Sequence, residues 1–70
     1  MQIKYLNLVH GYLTAVYFTP KLCWRYTIFL HDGKPFQPDD SYSTPEKAYE
    51  IAKNIIYLVV ACDRENTNLI

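Results

Sequence analysis

The sequence is short of almost everything that marks a chemical site. Its only glycines are Gly11 and Gly33, so no glycine-rich loop is present to cradle a phosphate. Its only cysteines, Cys23 and Cys62, are too few for a disulfide framework and too far apart for a CxxC redox or zinc motif. They read as two reduced, half-buried thiols. Charge of either sign is not in excess: seven acidic and seven basic residues give a net charge of zero. That counts against an extended phosphate-binding surface, whose footprint is a basic surplus. No apolar run approaches the ~20 residues of a membrane span. The opening MQIKYLNLVHGYL lacks the basic region, long apolar stretch and small-residue cleavage site of a secretory signal. These absences predict a soluble, cytoplasmic protein with no cofactor and no membrane association.

What is present belongs to a folded chain. Half the residues are apolar and a fifth are charged, unlike a disordered segment. Seven tyrosines, three phenylalanines and Trp24 suit half-buried strands and contact surfaces alike. Seventy residues make one small domain, 1–70. A chain of this length buries only about 60% of its extended surface, and oligomerisation is a common remedy.

The pattern along the chain predicts an α+β fold: a small antiparallel sheet of three to four strands, with one long C-terminal helix packed on one face. Residues 2–9 are β-capable, with imperfect alternation, and His10-Gly11 ends them. Residues 12–19 are dense in β-branched and aromatic types and stop before Pro20. Residues 22–30 alternate best, with Trp24, Tyr26, Ile28 and Leu30 on one face and Cys23, Arg25, Thr27 and Phe29 on the other. Asp32-Gly33 then signals a hairpin into a short edge strand at 35–37, between Pro35 and Pro38.

Two alternatives describe the start of the helix, predicted over 45–62. Ser43 and Glu46 form a capping box, or Thr44 caps and Pro45 takes the first helical position. Ala48, Ile51, Ala52, Ile55, Val59 and Cys62 recur at helical spacing as the face toward the sheet. After Asn54 the wet face disappears, and Ile56, Tyr57, Leu58, Val60 and Ala61 surround that stripe. One sheet cannot bury them all. The N-terminal strand wraps over them, a second copy covers them, or another protein docks there.

Chemistry finds little purchase. Asp39-Asp40 precedes the helix without the ligand spacing of a calcium loop. His10 and His31 sit at predicted turns with no third ligand in register. Cys23 has no histidine at a recognisable offset to act as a base. Neither catalysis nor metal binding is expected.

The segments WRYTIFLHDGKPF and YSTPEKAYEIAKNI, about half the chain, resemble the three-stranded sheet plus helix of AP2-type and integrase arm-type DNA-binding domains. Trp24, Gly33, Tyr42, Thr44, Ala48 and Ala52 carry the likeness. It implies the same sheet-and-helix arrangement. It also implies a nucleic-acid surface on the strands, for which this chain offers Lys21, Arg25 and Lys34.

The leading expectation is a small non-enzymatic protein-interaction module, a regulator or inhibitor that binds a larger protein and forms a homodimer. Arg25, Phe29, Ile56, Tyr57 and Val60 are its candidate contact residues. The sheet's outer face is expected to gather Arg25, Thr27 and Phe29 with some of Tyr5, Tyr12, Thr14 and Phe18, a surface on which unpaired bases stack in the alternative reading.

Overall fold

The computed structural model describes residues 2–68, with side chains described as far as Cys62. Four strands form one antiparallel meander: β1 (Gln2–Val9), β2 (Tyr12–Phe18), β3 (Trp24–Phe29) and β4 (Pro35–Phe36). One helix, α1 (Pro45–Asn68), follows and packs against the first three strands. The α+β class expected from the alternating and helical patterns is the one observed.

Each turn has a local cause. His10 and Gly11 both have positive φ, 50° and 83°, which makes the β1–β2 connection the two-residue turn whose twist matches the strands. At the β3–β4 turn, the Gly33 amide donates to the Leu30 carbonyl at 2.9 Å, and the Leu30 amide donates to the Lys34 carbonyl at 2.9 Å. Gly33 supplies the left-handed residue there, with φ 86°. The β2–β3 turn repeats this pattern, Leu22 amide to Thr19 carbonyl and Thr19 amide to Cys23 carbonyl. Its left-handed residue is Leu22, at φ 59°. Thr19, Leu22 and Cys23, expected within strands, therefore form a loop.

The helix begins by the second of the two predicted routes. Thr44 Oγ1 accepts a hydrogen bond from the Lys47 amide at 3.1 Å, so Thr44 caps and Pro45 is the first helical residue. Glu46 is left free to reach β1, where the Tyr5 hydroxyl donates to it at 3.1 Å. Tyr5 also stacks on Tyr49, ring centres 4.6 Å apart, and Asn7 donates to the Tyr49 hydroxyl. The helix continues past the expected end at Cys62 to Asn68, since no proline or glycine interrupts the polar tail. The last two residues, Leu69 and Ile70, lie outside the described residues.

Strand register decides which side chains meet the helix. Val9, Asn7 and Tyr5 oppose Tyr12, Thr14 and Val16, which are in phase with Ile28, Tyr26 and Trp24 across the sheet. Tyr12, Val16, Tyr26 and Ile28 form the core with Ala48, Ala52 and Ile56. The stripe is rotated from the expected one: Ile56 is at its centre, 1% exposed, and Cys62 is exposed.

Leu22 is 78% exposed in a backbone conformation that costs an L-residue roughly 1–2 kcal/mol. Leu22→Gly should relieve most of that strain, less the entropy glycine adds to the unfolded chain. We expect a net gain of roughly 0.5–1 kcal/mol and a Tm higher by ~2–8 °C, read by thermal denaturation. A fall in Tm would show that the leucine packs usefully. Burial pushes the Tyr26 phenol up to about 12, with Tyr42 and Asp40 adding to the shift. Its neutral form therefore stabilises the fold fully below 10, the unfolded value, and that contribution is lost as pH rises from 10 toward 12. Tyrosinate absorbance should show Tyr26 ionising last, together with loss of helical circular dichroism. Uniform titration of all tyrosines in an intact fold would contradict its burial.

Candidate interaction surface

A sheet has two faces, and this one has a helix for only one of them. The other face is built by the alternate residues of the same strands. Leu6, Leu8 and Leu13 stand there with Ala15, Tyr17, Arg25, Thr27 and Phe29, since Leu6 opposes Ala15, Leu8 opposes Leu13, and Leu13 opposes Phe29. Ile3 opposes Tyr17 on the same face because the register slips between Ile3 and Tyr5. The extra residue in that bulge, Lys4, resets the alternation of β1.

The surface is aliphatic at its heart. Ile3, Leu6, Leu8, Leu13 and Phe29 are between 38% and 71% exposed. Ala15 and Thr27, adjacent across β2 and β3, are buried beneath their larger neighbours. The result is a shallow trough of about 350 Å³ floored by Ala15 and Thr27 and edged by Ile3, Leu6, Tyr17 and Phe29. On its floor, Thr27 Oγ1 donates to the Tyr17 hydroxyl at 3.3 Å.

Arg25 stands at one corner, with one guanidinium nitrogen donating to the Pro38 carbonyl at 2.7 Å and reaching Asp39 at 3.5 Å. Its Nε is buried with no partner. Arg25 thus ties the segment after β4 to the sheet, and Tyr42 completes the edge by pairing with Trp24 through two 2.8 Å backbone bonds.

The sequence-predicted contact residues fall into three places. Arg25 and Phe29 share the outer face. Tyr57 is exposed on the helix, 55%, with the His10 ring edge-on to it at 4.9 Å. Val60 is half-buried against the core and Ile56 is fully inside it. Ile56 is therefore corrected from contact residue to core residue. Helix periodicity places it four residues after Ala52 on the same side, a phase the sequence reading assigned to Ile55 and Val59. The sheet and helix candidates also lie on opposite sides of the molecule and form no common surface.

The nucleic-acid candidates are no more unified. Lys21 lies in the β2–β3 loop and Lys34 in the β3–β4 turn, at opposite ends of β3. Arg25 is engaged with Pro38 and Asp39. Tyr5, Tyr12, Thr14 and Phe18, expected as additions to the outer face, belong to the helix side instead. Leu6, Leu8 and Leu13 take that place, so the face is greasy where an aromatic stacking platform was expected. The missed signal is the leucine at every second position around Asn7, read as imperfect alternation because both faces of β1 carry apolar residues.

The histidines serve packing. His31 stacks on Tyr12 at 4.2 Å, and His10 meets Tyr57. Among the described residues, no group of three His, Cys, Asp or Glu could hold a metal ion. Nor, among them, is any helix long and apolar enough to cross a membrane. No family model matches this chain, and no curated protein or solved structure matches it either.

The contrast between Ile56 and its exposed neighbour can be measured. Ile56→Ala should cost about 2–5 kcal/mol in urea denaturation. Leu58→Ser, at a 67% exposed position, should change stability by no more than ~0.5 kcal/mol. Equal costs would mean that the apolar end of α1 is covered on both sides.

Proposed function

We propose that the protein is a small non-enzymatic interaction module that acts by binding protein through the outer face of its sheet. Regulation or inhibition of the bound protein is the activity such a module performs. One observation carries the reading: Leu6, Leu8, Leu13 and Phe29 stand exposed together on a face that, among the described residues, no element covers. Single exposed leucines are ordinary, but contiguous ones rimmed by polar residues mark contact sites. The trough between them is shallow, and its floor presents an alanine and a self-satisfied threonine. Such a surface suits shape-complementary apolar contact.

Photo-cross-linking in cells tests this directly. With p-benzoylphenylalanine in place of Leu13, irradiation should yield a discrete protein adduct that resists nuclease. The same probe in place of Lys47, on the exposed helix face, should yield none. No adduct at Leu13, or an adduct that nuclease removes, would overturn the reading.

A further inference from the structure

The outer face has the properties of a surface that pairs with itself. We propose that its occupant is a second copy of this chain, docked face to face across a two-fold axis to make a two-sheet sandwich with the helices outside. This deepens the interaction reading and rests on it.

The first argument is area. The five exposed apolar side chains of the face, 38–71% accessible, leave on the order of 500 Å² of apolar surface, at the upper end of what a monomer shows. Apolar atoms make up about 65% of a homodimer interface. The patch therefore corresponds to a contact of roughly 800 Å² per copy, the size of a standard stable interface.

The second argument is shape. A two-fold interface brings the same patch from both copies together, so it needs a protrusion beside a recess. The face has both: the Leu13–Phe29 row stands next to the Ala15–Thr27 row across β2 and β3. Rotating one copy onto the other sets each Leu13–Phe29 ridge into the partner's trough. Small residues along that row let two sheets approach to ~10 Å, the spacing of stacked sheets.

The third argument is electrostatic. The chain carries no net charge, so two copies do not repel. The Thr27 hydroxyl at the floor of the trough already donates to the Tyr17 hydroxyl, so covering the floor leaves that threonine proton paired. Arg25, at the corner, holds Pro38 and Asp39 through one terminal nitrogen, and its unpartnered Nε is already buried in the single chain, so docking takes no further water from it. Pairing through the open edge of β1 is less suited, because the bulge at Lys4 breaks the regular ladder there.

Sedimentation velocity on the full chain tests the proposal. At ~100 µM, well above a micromolar dissociation constant, the wild type should sediment at twice the chain mass of 8.2 kDa. The double variant Leu6→Lys/Phe29→Lys should sediment at the single-chain mass with its circular dichroism unchanged, while Tyr57→Lys/Leu58→Lys stays dimeric. Should the outer-face variant fold poorly, dilution of the wild type supplies the answer: methyl resonances of Leu6, Leu8 and Leu13 should shift and those of Leu58 should not. A monomeric wild type, or a dimer broken only by the helix variant, overturns the proposal. If the wild type is monomeric while the Leu13 cross-linker captures a different protein, the self-pairing fails and the interaction reading stands.

Discussion

How closely the helix can approach the sheet governs the rest of this structure. Ala48 and Ala52 are both fully buried, one turn apart on the face of α1 that meets β2 and β3. A methyl at each position lets the helix settle low enough for Tyr12, Val16, Tyr26 and Ile28 to close around Ile56. Larger side chains there would lift the helix and open that core, because packed interiors tolerate little change of volume. The contacts between Tyr5, Glu46 and Tyr49 at one end, and His10 and Tyr57 at the other, depend on the same depth.

Close approach has a geometric consequence. A helix of 24 residues is about 36 Å long, whereas a strand of seven residues spans about 23 Å. The helix must overhang the sheet. Its packed portion ends near Val59 and Val60, and beyond them Ala61 and Cys62 are exposed. Most of the apolar cluster IIYLVV is thus accounted for by the core and its flank. Tyr57 and Leu58 remain outside, and the larger uncovered apolar surface is on the sheet.

That surface is a consequence of topology. Among the described residues, the helix that follows the four-stranded meander packs on one face of the sheet and leaves the other open. Natural sheets with one solvated face usually alternate apolar and polar residues. Here β1 and β2 carry apolar residues on both faces, so covering the open face would take further apolar surface out of water. A 70-residue chain gains most from such burial, since its own interior is limited.

The sequence by itself determined the local elements. Gly33, His10-Gly11, Pro20 and the Thr44-Pro45 cap act within a few residues of themselves, so the strands, turns and helix start were legible to within about two residues. The opposite phases of Trp24-Tyr26-Ile28 and Arg25-Thr27-Phe29 were legible for the same reason. Only the tertiary structure decided the phase of β1 and β2 against β3, because two-sided hydrophobicity erases the period-two signal and the Lys4 bulge shifts it. It likewise decided which side of α1 is inside, since a helix end apolar all round has no preferred face until a sheet selects one. Those two choices moved Ile56 into the core and placed Leu6, Leu8 and Leu13 together on the open face.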